Sequence, residues 1–149
     1  MEFNVKLTEF FYKFGSHKNM VLSTSYNNEV DSRMMSIICY SGKFYFQTDK
    51  NFKKCQQIKR NSNISLCIDN ISVKGICKCV GKPVDNLMFC KLFKENFQKA
   101  YNLYTALESE ILFEVEPIHI KCWIYENDTP FIEEYELNKK IYRKKSIYD

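Results

Sequence analysis

The chain of 149 residues carries 22 Lys and Arg against 18 Asp and Glu, a formal net charge of +4, with 45% hydrophobic and 15% aromatic residues. This length suits one domain over residues 1–149 rather than two, and the apolar content supports a real core and excludes wholesale disorder. The charge excess is mild and lacks the concentrated basic patch of a nucleic-acid-binding domain.

Phe3 to Phe14 reads as an amphipathic helix, with Val5, Phe10 and Phe14 on one face and Gly15 as its stop. Met20–Tyr26 is a strand by composition, Asn27-Asn28 a turn, and Ser32–Tyr40 a second strand. Ser41-Gly42 is a tight turn into a third strand, Lys43–Thr48, so these two form a hairpin. Asn51–Arg60 fits a short helix capped by Asp49 or Asn51 and broken at Asn61-Ser62-Asn63. Ile64–Ile68 and Ser72–Val84 are strands, the second marked by Gly75 and Gly81 as bulged or strongly coiled. Three-to-four spacing from Leu92 through Tyr104 predicts one long helix, Leu87–Leu107. Ile111–Tyr125 returns to strand, with Pro117 at an edge or bulge. The remainder is polar and reads as peripheral, and its run Lys139, Lys140, Arg143, Lys144 and Lys145 as a solvated tail or last helical turn. Six short, mostly hairpin-linked strands need closure to hide their edges, which predicts a mainly β (α+β) fold: a small antiparallel barrel flanked by helices.

No apolar leader and no apolar run of the roughly 18 residues needed for a membrane span is present. The expectation is a cytoplasmic protein, with neither membrane nor nucleic acid as partner, whose 7 cysteines stay reduced. Their spacing, with only Cys77 and Cys79 close, and the separation of His17 from His119 do not make a zinc or iron–sulfur motif. Buried, inert thiols are the simpler reading.

Chemistry concentrates in DSRMMSIICYSGKFYFQTDKNFKKCQQIKRN, Asp31 to Asn61. Arg33 stands at the start of one hairpin strand and Thr48 at the end of the other, so the pairing can bring them together. The short helix follows at once, its free N–H groups and positive dipole end directed at the same spot. Lys53 and Lys54 in its first turn oppose that dipole, and a bound dianion reverses the sign of the effect. Arginine grips phosphate as a planar fork, lysine adds point charge and threonine one hydroxyl. The alternative is a solvated basic helix face with Arg33 paired to Asp31.

The pattern of DSRMMSIICYSGKFYFQTDKNFKKCQQIKRNSNISLCI resembles the core of the pyridoxamine 5'-phosphate oxidase-like, FMN-binding split-barrel family. The matching elements are an Arg followed by apolar residues, a strand ending in aromatic-Phe-x-Thr, a basic pair on a short helix, then N-x-x-Ile-Ser-Leu, and later CVGKP. The likeness runs from about Val21 to Pro83 and continues weakly into FEVEPIHIKCW, nearest the general-stress and nitroimidazole-reductase-like branches. It implies a six-stranded antiparallel split β-barrel with flanking helices and an FMN cofactor. In that likeness Arg33 and Lys54, helped by Lys53 and Thr48, bind the FMN phosphate. Met34, Met35 and Ser36 run along the flavin ring through backbone groups, and Gln47 lies near the ribityl chain or ring. The likeness further implies a homodimer with flavin at the interface, where Trp123 covers the ring or simply packs in the core. Phe52 stands where relatives often have Ser or Gly. The ending ELNKKIYRKKSIYD lacks the histidine of the segment that grips substrate in true pyridoxamine-phosphate oxidases, so that substrate is not expected.

The functional expectation is an FMN-dependent oxidoreductase passing a hydride or electrons, from NAD(P)H or another donor, to a small-molecule substrate. No side-chain acid or base stands out. The rivals are a non-catalytic flavin-binding or redox-sensing module and, further off, a ligand-free barrel using its lysines on nucleic acid.

Overall fold

Turns set the topology. Asn27, Asn28, Ser41, Gly42, Asn127 and Asp128 all have left-handed φ, which makes two-residue hairpin turns whose twist matches that of the strands they join. The computed structural model describes residues 2–148. Helix α1 (Glu2–Phe14) leads into β1 (His17–Tyr26), β2 (Glu29–Tyr40) and β3 (Lys43–Asp49). Helix α2 (Lys53–Arg60), β4 (Asn63–Ile68) and β5 (Ile71–Cys79) follow. A 3-10 turn (Pro83–Asp85), α3 (Leu87–Asn96) and α4 (Gln98–Tyr104) precede β6 (Glu110–Glu126), β7 (Thr129–Glu136) and β8 (Ile141–Ser146).

All strands pair antiparallel in the order β3-β2-β1-β4-β5-β6-β7-β8, and β3 also pairs with β6. That last pairing closes the expected six-stranded barrel. The interior is filled from alternate positions of each strand: Met20 and Leu22, Ile37, Phe44 and Phe46, Leu66, Val73, Val115 and Ile120. Positions of the opposite parity, Ile38, Tyr45 and Leu112, face outward and are covered by Phe89 and Phe93 of α3. Asn86 caps α3, accepting the Phe89 N–H at 2.9 Å. Gly75 marks a bulge, as its sequence position predicts: the β5–β6 register shifts between Lys74 and Gly75, opposite Pro117. A Cβ there would meet Val115 Cγ1 at 2.5 Å and the Glu116 carbonyl oxygen at 2.9 Å.

Three expectations need correction. The strand predicted over Ser72–Val84 ends at Cys79, because Gly81 turns left-handed (φ 103°) and Pro83 opens the 3-10 turn. The long helix over Leu87–Leu107 is broken at Phe97, whose φ of −137° and ψ of 54° are not helical. The polar end is not peripheral; it forms β7 and β8, which extend the sheet from the far half of β6. Charge is what hid these strands and also helps tie them down, Arg143 to Glu136 at 3.0 Å and Lys144 to Glu126 at 2.7 Å. Glu133 lies opposite Lys144 and Glu134 opposite Arg143, while Tyr135 is buried against Phe10 of α1. Arg143, Lys144 and Lys145 are therefore strand residues, not a tail or helical turn.

Among the described residues no helix is long and apolar enough to cross a membrane, no cluster suits a metal ion, and all seven cysteines are free.

Candidate functional site

The barrel is split along one seam. Strands β2 and β3 pair only from the turn to Ile38 opposite Tyr45. Beyond that point β3 turns to β6 alone, while β2 stays paired with β1 down to Glu29. The amide of Cys39 donates to Ser16 at the head of β1. Alternation then directs the backbone groups of Ile37, Met35 and Arg33 toward β1, and those of Ser36 and Met34 into the seam. The Met34 and Ser36 amides have no acceptor among the described residues.

Arg33 is the fifth residue of β2, opposite Leu22 of β1, so its side chain takes the inward parity at the barrel's end. It donates to the Leu22 carbonyl (3.2 Å) and to Thr24 Oγ1 (2.8 Å). The buried Thr24 hydroxyl in turn donates to Gln57 Oε1 of α2, and Gln57 Nε2 donates to Asp31 (2.8 Å). One chain of hydrogen bonds thus fixes the guanidinium to the helix. Arg33 does not pair with Asp31, whose carboxylate takes Gln57 and Lys53 instead. Both hold the Asp31 pKa below its usual range, Gln57 first.

Lys54 is 9% exposed and donates to Thr48 Oγ1 at 3.0 Å, with its ammonium 4.6 Å from the Phe52 ring. Neither Lys54 nor Arg33 forms an ion pair with a described carboxylate. Burial lowers the pKa of Lys54; Cys55 opposes that, Arg33 adds to it, and Glu110 and Asp49 oppose it more weakly. Burial likewise lowers that of Arg33. No side chain caps α2, and the Lys53 and Lys54 amides have no described acceptor. Two neighbouring cations without an ion-pair partner, one hydroxyl and two free amides at a helix start are a donor set that fits a phosphomonoester.

The route by which these groups meet differs from expectation. The hairpin register does not bring Arg33 to Thr48, because the β2–β3 ladder stops short of both. Helix α2 joins them instead, with Lys54 on Thr48 and Gln57 on the Thr24 that holds Arg33. Nor does Asp49 or Asn51 cap the helix; Phe52 is its N-cap, and Asp49 binds the Asn51 amide and Ser109. Lys53 turns from the clamp onto Glu29 (2.6 Å) and Asp31 (3.2 Å). Met35 packs on the barrel core, whereas Met34 is 63% exposed beside the seam. Gln47 has the outward parity, accepting from Thr105 at the end of α4 (2.9 Å), and it opposes the burial that raises the pKa of Glu110. Trp123 lies on the far half of β6, opposite Ile132, its backbone tied to Asn70 rather than to the clamp.

Thr24, Gln57 and Glu110 were not singled out in the sequence. The first two meet only when β1 packs on α2, a long-range contact without a motif. Glu110 is a buried carboxyl whose pKa burial raises, beside Gln47. Its one signal was an acidic residue opening an apolar run.

No family model matches the sequence, and no curated protein matches it. Solved structures do match in fold. A pyridoxamine 5'-phosphate oxidase-related, FMN-binding protein from Nostoc punctiforme superposes with a TM-score of 0.67 at 12% identity, covering 98% of this chain and 93% of that one. General Stress Protein 26 from Bacillus anthracis gives 0.61 at 23% identity, over 80% and 92%. A protein of the pyridoxinephosphate oxidase family from Clostridium acetobutylicum, related to general stress protein 26, gives 0.63 at 13% identity, over 94% and 98%. The fold of this chain is the split barrel of those proteins.

Proposed function

We propose that this chain is a flavoprotein of the pyridoxamine 5'-phosphate oxidase-like family that binds FMN and serves as an oxidoreductase. The observation that carries the reading is that Arg33 and the buried Lys54 lie near enough for one to depress the other's pKa while neither forms an ion pair with a described carboxylate. Arg33, Thr48 and Lys54 hold the phosphate, with the α2 amides behind them. The unpaired Met34 and Ser36 backbone groups border the ring along the seam, where Met35 and Gln47 flank it on opposite faces. Lys53 contributes indirectly, by holding Asp31 and so orienting Gln57 and Arg33. A flavin bound there supplies two-electron transfer between a donor such as NAD(P)H and a small-molecule acceptor. The chain's own part is to anchor the phosphate, present N–H groups to the ring and keep one ring face dry.

A second copy of the chain completes the site over the exposed Met34, and the partly exposed Trp123 is available to such a contact. FMN titration of the purified protein, followed by absorbance near 450 nm, the oxidised flavin band, tests the assignment. The wild type should bind one FMN per chain, and Arg33→Ala with Lys54→Ala should lose it. Full occupancy in the folded double variant overturns the phosphate assignment. Bleaching by NAD(P)H and reoxidation by added acceptors then distinguishes an enzyme from a passive binder.

A further inference from the structure

Helix α2 has a second flank. Beside the flank that carries Lys54 and Gln57, Cys55, Ile58 and Lys59 border a cavity of about 590 Å³ that lies against the end of β5 and the start of β6. This volume falls within the span usual for small-molecule sites, roughly 300–1,000 Å³. The apolar lining is Ile58, Ile111 and Phe113, and Phe113 is stacked on Phe46 of the barrel core at 5.2 Å. Three cysteines add soft surface: Cys55, Cys77 and Cys79. Burial pushes Cys55 up to about 11 and raises Cys77 further, so both stay protonated at neutral pH. The charged lining is Lys50, Lys59 and Lys78, with no carboxylate among the lining residues. Lys78 reaches Glu114 at 3.7 Å, while Lys50 and Lys59 form no ion pair with a described residue.

A cationic rim selects an anion, and an apolar floor under it selects a ligand with an apolar body. We propose that this cavity binds an organic anion with an aromatic or aliphatic body, such as an aromatic carboxylate or sulfonate, at a site separate from the Arg33–Lys54 clamp. The cavity does not depend on the flavin reading, since none of its lining residues belongs to the clamp.

The exposed thiols provide the test. Cys79 lines the cavity and is exposed; Cys67, also exposed, lies outside it on β4 and serves as the internal control. The full-length chain, saturated with FMN, is alkylated with iodoacetamide with or without 8-anilinonaphthalene-1-sulfonate, and each cysteine is followed by peptide mass spectrometry. With the sulfonate at about ten times its Kd, alkylation of Cys79 should slow about tenfold and that of Cys67 should not change. The uncharged N-phenyl-1-naphthylamine should bind at least about tenfold more weakly, as should the sulfonate to Lys50→Gln with Lys59→Gln. FMN affinity of that double variant should equal the wild type's. The proposal is overturned if Cys79 is not protected, if Cys67 is protected equally, or if the uncharged analogue binds as tightly. Protection of Cys79 by FMN alone, lost in the lysine double variant, overturns the separateness of the site. If instead Arg33→Ala with Lys54→Ala retains FMN, only the clamp assignment falls and the sulfonate result stands.

Discussion

The ammonium of Lys54 lies 3.0 Å from the Thr48 hydroxyl, and that hydroxyl is its sole described hydrogen-bond partner. A nearly buried cation served by one neutral oxygen and the Phe52 ring, with no counter-ion in an ion pair, is destabilising in the isolated chain. Replacing it with an apolar residue of similar length removes that cost. Lys54→Met should therefore raise the Tm of the FMN-free protein by about 2–4 °C while weakening FMN binding at least about tenfold. Differential scanning calorimetry with and without FMN checks both halves. A variant less stable than the wild type when free of ligand would show that Lys54 is already compensated.

The pH dependence of that effect has a definite sign. Folding lowers the pKa of Lys54 below its ordinary value of 10.5. Between the lowered value and 10.5 the unfolded chain holds more protons than the folded one, so this group makes stability rise with pH in that window. The Tm advantage of Lys54→Met should accordingly shrink as pH climbs toward 10.5, and FMN affinity of the wild type should weaken over the same window. Parallel melting curves at alkaline pH read the first, and FMN titrations the second. A constant Tm difference would mean Lys54 does not titrate there.

Thr24 is a positioning residue. Its hydroxyl accepts from Arg33 and donates to Gln57, linking β2 to α2. Thr24→Val keeps the shape and leaves the buried Gln57 Oε1 without its donor and Arg33 with the Leu22 carbonyl alone, at about 1–3 kcal/mol. Thr24→Ser keeps the relay. The valine variant should lose FMN affinity about tenfold, and the serine variant should hold it within about twofold. An equal loss in both would point to packing of the Thr24 methyl and not to the relay.

Gly75→Ala should destabilise by about 1–3 kcal/mol, the usual cost of overpacking. Its added methyl would run into Val115 and the Glu116 carbonyl, and a backbone oxygen cannot swing aside. Urea denaturation measures this; a midpoint unchanged from the wild type would mean that the bulge has slack.

How far the sequence reveals this molecule depends on how local each feature is. Strands β1 to β6 show themselves by apolar runs between turn residues, and the barrel follows from their need to close. Strands β7 and β8 escaped because charged stretches such as KKIYRKK read as solvated chain. Yet Asn127-Asp128, left-handed at both positions, is the same kind of turn that revealed β1–β2. The break at Phe97 left no mark, since no Gly or Pro accompanies it and the three-to-four spacing continues across it. At the candidate site, residue type and spacing drew attention to Arg33, Thr48 and Lys54 but left a solvated basic face equally open, and it was the family resemblance that favoured phosphate. The division of labour between Lys53 and Lys54 was not: neighbours on a helix point in different directions, and only the fold shows which flank holds Glu29 and Asp31.

The short ladder between β2 and β3 has a mechanical consequence. Because β3 is secured by β6 over Phe44 to Asp49, the cleft beside Met34 and Ser36 can gape without breaking a single rung that holds the barrel shut. A flat guest can enter and leave edgewise there while the rest of the molecule stays rigid. Those two amides should trade their protons with solvent quickly although they sit at the middle of a long strand.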